Sequence, residues 1–328
     1  MLFPAQPAEP AAAGLGYRRL VLATAVATFV LIIVGGVVRV SDSGLGCGPG
    51  GSGLHGWPFC KGNVVPGVDL NSVVEYTHRA LAGAVSIMIV ALVVLSWRRH
   101  RQWFGVTLAL LVLILAQAGL GGATVEDNLN ESYVAAHLCL AMLLLGGLLY
   151  LWRGVSALGH SDGGPRLRWL AVGASVAVLC TIVAGGYMAG TQKYGRPDYQ
   201  LGDGAHHACG TQFPACNGDF MPFGQSRLVD IHLTHRAFMY LASILLIALI
   251  VVSLRRRVAV RYAYGVAALL CAQILVGALN VWISTEYEWL IVLHLALGTL
   301  LWATTLSFAL QLSPARERAR GRAEALTA

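Results

Sequence analysis

The chain has 328 residues, 56% of them hydrophobic and 12% charged, with a mean hydropathy of +0.65. A soluble globular domain carries about 25% charged residues, so this composition excludes a single water-soluble core and reads as a polytopic membrane protein. The net charge of +7 is sorted by side of a membrane rather than gathered into a patch, which argues against nucleic acid as a partner and for lipid.

Eight apolar segments follow in chain order, at 20–38, 73–97, 103–125, 132–152, 168–189, 228–254, 259–282 and 288–311. Each is near or above the ~20 residues that a spanning helix needs. The first follows Arg18 and Arg19, but its apolar run is too long for a signal peptide and no clear small-x-small cleavage site follows, so it is expected as a retained helix. With eight spans, 16 of the 23 basic residues fall on one side, Arg316, Arg318, Arg320 and Arg322 among them, and 12 of the 16 acidic residues fall on the other. The positive-inside rule then places both termini in the cytoplasm, in the inner (cytoplasmic) membrane of a cell.

The chain is written twice. AQAGLGGATV (116–125) matches AQILVGALNV (272–281), and AAHLCLAM (135–142) resembles VLHLALGT (292–299). His78 and His235 are 157 residues apart, as are His137 and His294. Each half therefore holds four helices, and an even number makes the halves parallel repeats about an axis along the membrane normal. The expected fold is all-α, two pseudo-symmetric parallel four-helix bundles with both termini inside. Residues 17–153 form the N-terminal half, 154–167 a cytoplasmic linker and 168–312 the C-terminal half. Two long outward loops, 39–72 and 190–227, occupy equivalent places after the first helix of each half.

His78, His137, His235 and His294 lie near the starts of the second and fourth helices of their halves, at one expected depth near the outer face. Two imidazoles facing each other across a four-helix bundle can hold a haem iron from both sides. Ordinary packing histidines and a zinc site are the other readings, and no nearby thiolate or carboxylate completes a zinc set in both halves. Gln117 and Gln273 are equivalent residues inside the third helices, suited to a helix–helix hydrogen bond or to a bound group. Gly119, Gly121 and Gly122 permit close approach of a neighbouring helix or of a flat macrocycle. Arg79 and Arg236 follow the histidines and could pair with haem propionates or snorkel to headgroups. Cys47 and Cys60 in the first loop, and Cys209 and Cys216 in the second, are disulfide candidates, as structural staples or, in the first loop, as a redox-active pair. Cys139, Cys180 and Cys271 are expected as small buried apolar residues, and His55, His206 and His207 as surface residues. The repeat breaks where EYTHRA carries Glu75 and HLTHRA carries His232. Glu75, three residues before His78, shares its helical face, and a carboxylate there can move protons or stabilise developing positive charge. This asymmetry assigns chemistry to the N-terminal half.

These features together resemble the haem A synthase family: two four-helix halves, E-x-x-H-R at 75–79, H-x-x-H-R at 232–236, the later histidine pair, SGLGC at 43–47 and the loop cysteines. The resemblance covers roughly 17–312. It implies oxidation of the C8 methyl of haem O to the formyl group of haem A, by successive hydroxylations and loss of water, for use by terminal oxidases. It implies that His235 and His294 ligate a resident haem b, that His78 and His137 hold haem O, and that Glu75 is the essential carboxylate. Haem O synthase, an electron donor and further copies of the chain are the partners it suggests. The first loop departs from the family pattern of a tighter cysteine pair: twelve residues, GPGGSGLHGWPF, separate Cys47 from Cys60, while six separate Cys209 from Cys216. Two other readings stay open, a di-haem bis-histidine electron-transfer protein and a haem transporter. Placing all four histidines toward one face weighs against the first of these.

Overall fold

The computed structural model describes residues 13–65, 67–192, 204–283 and 288–312. The arginines at 316, 318, 320 and 322 and residues 193–203 of the second long loop lie outside them. Among the described residues the regular structure is helical, with eight helices long and apolar enough to cross a membrane. They are α1 (Leu15–Val40), α2 (Leu70–Arg99), α3 (Phe104–Glu126), α4 (Glu131–Val155), α5 (Gly164–Gly190), α6 (Arg227–Arg256), α7 (Val260–Trp282) and α8 (Glu288–Gln311).

Several helices outrun the apolar segments read from the sequence, because polar caps rather than hydropathy end them. Asp69 accepts from the Ser72 N–H at the start of α2, Asn130 from Ser132 at α4, and Ser226 from Val229 at α6. Each supplies a side-chain oxygen to a backbone donor that lacks a helical partner. These caps set the depth of the histidines. At 1.5 Å of rise per residue, His78 and His235 sit ~12 Å into α2 and α6, and His137 ~9 Å into α4. α5 opens with Pro165 in its first turn, where a missing N–H costs no hydrogen bond.

The packing partners are reciprocal. α1 packs on α2 and α4, and α3 on the same two; α5 packs on α6 and α8, and α7 on those two. Between these groups α4 meets α5, α1 meets α8, and α4 meets α8. At the last contact the Thr299 hydroxyl lies 4.0 Å from the Met142 sulfur. These two residues occupy matching places in AAHLCLAM and VLHLALGT. Gly36 lets Leu295 approach, to 2.7 Å from where a Cβ would stand, and Gly186 does the same for Leu138, at 2.8 Å. The outward faces are apolar, with Ile87 72% and Ile244 64% exposed, as lipid contact requires. Cys271 belongs to this lipid-facing surface, contrary to its expected burial: α7 turns position 271 away from its neighbours, which apolar composition does not reveal. The protein is a multi-pass membrane protein.

Candidate functional site

A cavity of about 680 Å³ is lined by His78, His137, His235 and His294 together. All four are half-buried, and the cavity receives them from α2, α4, α6 and α8. The donor set suits a planar metal macrocycle. The lining is mostly apolar, and the Nδ1 atoms of His78, His137 and His294 are buried without a hydrogen-bond partner. His235 Nδ1 lies 2.9 Å from the Thr181 carbonyl. A carbonyl only accepts, so Nδ1 carries the proton and Nε2 keeps the lone pair a metal takes.

The glutamines differ between the halves. Gln117 Nε2 donates to the His137 carbonyl at 2.9 Å, a helix-to-helix bond. Gln273 Nε2 lies 3.2 Å from His294 Nε2 and reaches the imidazole itself.

Glu75 is buried and lines the cavity, held at two points. Its Oε2 accepts from the Cys47 N–H at 2.7 Å and its Oε1 pairs with Arg79. His232 occupies the same place in α6, where its Nδ1–H donates to the Ala205 carbonyl at 2.8 Å. Each residue therefore ties its helix to the preceding loop, one as acceptor and one as donor.

Arg79 and Arg236 are committed to the loops. Arg79 donates to the carbonyls of Gly56 and Phe59, each at 2.8 Å. Arg236 donates to Gln212 at 2.8 Å, Ala215 at 2.9 Å and Pro214 at 3.2 Å. Neither guanidinium snorkels outward: Arg236 is 2% exposed and sits over the Phe213 ring at 5.4 Å. Disulfides Cys47–Cys60 and Cys209–Cys216 close both loops. The turn after each second cysteine is the same: Cys60 and Asn63 exchange backbone hydrogen bonds, as do Cys216 and Asp219. Lys61 and Gly62, and Asn217 and Gly218, take the positive φ that such a two-residue turn demands.

Three lining residues escaped the sequence reading. Trp57 and Phe213 precede the prolines of WPFCKGN and FPACNGD and reach the cavity from the loops, and Trp57 packs against Gly122. The repeat of those two heptapeptides was the available signal. The third is His206, expected at the surface. It lines the cavity, with its Nε2 buried and unpartnered. Burial foremost, then His207 and His235, push its pKa down to about 4, so it is neutral near pH 7. His55 is exposed, as expected.

A family model described as COX15-CtaA, cytochrome oxidase assembly protein, matches residues 18–306. The chain belongs to the COX15-CtaA family. Within this family it is similar to the curated protein "Heme A synthase" of Halalkalibacterium halodurans, 29% identical over 246 residues, 71% of this chain and 74% of that one. It is 26% identical over 244 residues to "Heme A synthase" of Shouchella clausii, 72% of this chain and 75% of that one. A third relative, "Heme A synthase" of Symbiobacterium thermophilum, is 28% identical over 283 residues, 80% and 84% of the two chains. The family match spans all four histidines, both disulfides and Glu75.

Proposed function

We propose that the chain is a haem A synthase, an oxidoreductase that converts the C8 methyl of haem O to a formyl group. The observation that carries this reading is the repeated histidine pair around one cavity, with a carboxylate in one half where the other has an imidazole. The two histidine-bearing groups of helices, α1–α4 and α5–α8, are read as two parallel four-helix bundles. Packing of the matched residues Met142 and Thr299 on each other supports this, since equivalent positions meet only at a symmetry axis. The sorting of basic and acidic residues between the loops supports reading both termini as cytoplasmic and the histidines as lying toward the outer face of the inner membrane.

His235 and His294 would hold a resident haem b, which when bound supplies one-electron redox chemistry. His78 and His137 would hold haem O. Glu75 stands three residues before His78 with its oxygens fixed by Cys47 and Arg79. It is a preorganised negative charge, able to stabilise positive charge or take up a proton at a carboxylate oxygen. Trp57 and Phe213 line the cavity from the loops, where they would cover the two haems and limit water entry. Haem O synthase as source of the substrate, an electron donor, and assembly into homo-oligomers belong to the same reading.

The test is expression in cells that make haem O and have no other source of haem A, followed by extraction and chromatography of the haems. Haem A is expected with the wild type. Glu75→Gln keeps an acceptor for the Cys47 N–H but loses the charge, and is expected to lower haem A by roughly 10²–10⁴-fold with haem still bound. Bound haem b with haem O unconverted in the wild type, given a supplied reductant, would favour an electron carrier instead.

A further inference from the structure

We propose that Gly35, Gly121, Gly185 and Gly277 are positioning residues, one for each of the four histidines, that fix where each imidazole stands. This rests on the reading of those histidines as haem ligands. A Cβ built on Gly35 would lie 3.1 Å from Cε1 of His78, and one on Gly121 3.2 Å from Cε1 of His137. The matching distances are 3.0 Å from Gly185 to His235 and 2.9 Å from Gly277 to His294. Carbon atoms rest at about 3.5–4.0 Å, so a Cβ at any of the four places requires the ring to give way by a few tenths of an ångström.

The contact is made at the same ring atom every time. Cε1 lies between the two nitrogens and Nδ1 is the next nearest ring atom in every case, so the close approach is to the Cε1–Nδ1 edge of the imidazole, opposite the side on which Nε2 would face a metal. A rigid ring cannot bend away; it can only turn or withdraw, and either motion displaces Nε2. The supporting helix is never the one bearing the ligand. α1 supports the histidine of α2, α3 that of α4, α5 that of α6 and α7 that of α8. All four helices of each half thus contribute to one site, two with ligands and two with bare backbone. The contact is not a general property of glycine in these helices, since Gly119 in α3 and Gly173 in α5 have nothing within 4 Å of an added Cβ.

Alanine is the informative substitution. It favours helix over glycine by about 1 kcal/mol, so a loss cannot be charged to the helix itself. Gly185→Ala and Gly277→Ala are compared with Gly119→Ala and Gly173→Ala in detergent-purified protein. Folding is checked by circular dichroism and gel filtration, haem b is quantified, and low-temperature EPR reads the low-spin haem, whose g-anisotropy reports the mutual orientation of the axial imidazoles. The expected result is a roughly 10–100-fold weaker hold on haem, or a shifted largest g-value in the haem retained, with both controls like wild type. Gly35→Ala and Gly121→Ala, tested with haem O, give the same comparison independently in the other half. Wild-type haem content and g-values in the folded Gly185 and Gly277 variants, with haem lost in His294→Ala, would overturn the positioning role and leave the ligand reading intact. Haem retained with unchanged spectra in His294→Ala would instead defeat the ligand reading.

Discussion

Arg79 and Arg236 show how one residue type takes its role from what surrounds it. From the sequence each is a cation beside a histidine, suited to a propionate or a headgroup. In the structure each is the donor that closes a loop onto the site, through several backbone carbonyls at once. Removing Arg236 leaves the Gln212, Pro214 and Ala215 carbonyls short of a donor. Arg236→Ala is expected to destabilise the protein by on the order of 1–3 kcal/mol, seen as a lower melting temperature in detergent. Arg236→Lys should recover only part of it, because an ammonium cannot fork across the turn as guanidinium does. The same logic separates Glu75 from His232. Both hold a loop, but only Glu75 is a carboxylate, ion-paired with Arg79, and that difference was legible in the sequence as a break in the repeat.

At the scale of elements, the start of α2 carries both a histidine and Glu75, so its cap matters beyond the helix end. Asp69 accepts from Ser72 and pairs with Lys61 at 2.9 Å. The Lys61 hydrogen bond foremost, then the Ser72 N–H, hold its carboxyl down at about 2. A folded-state value below the unfolded one of about 4 means a contribution that is complete above pH ~4 and disappears as pH falls toward ~2. The advantage of the wild type over Asp69→Asn in thermal melts is therefore expected at pH ~6 and should vanish across that acid window. An advantage unchanged with pH would show that the charge is not what stabilises. Helix existence was readable from long apolar runs. Helix ends were not, because Asp69, Asn130 and Ser226 act through single hydrogen bonds that hydropathy averages away.

At the scale of the whole molecule, adjacent glycines in α1 and α5 serve different partners. Gly35 and Gly185 meet a histidine of their own half, while Gly36 and Gly186 meet Leu295 and Leu138 of the opposite half. Those leucines directly follow His294 and His137. Packing between the halves is thereby coupled to the position of the imidazoles within each. Gly186→Val overpacks this seam and is expected to cost about 1–3 kcal/mol. It should also loosen haem in the N-terminal half, through Leu138, more than in the C-terminal half. Haem content of the two sites, read separately by extraction, checks the asymmetry.

Composition, an apolar period long enough to span a bilayer, and a 157-residue repeat of paired histidines determined by themselves that this is a helical membrane protein with a doubled histidine site. Those signals are local or periodic, and a linear chain displays them directly. Only the tertiary structure decided that Arg79 and Arg236 face the loops, that His206 enters the cavity and that four glycines abut four imidazoles. Each of these depends on the rotation of one helix against another. That rotation is set by side-chain volume at contacts between residues distant in sequence, where a glycine reads as nothing until a neighbour fills the space it leaves.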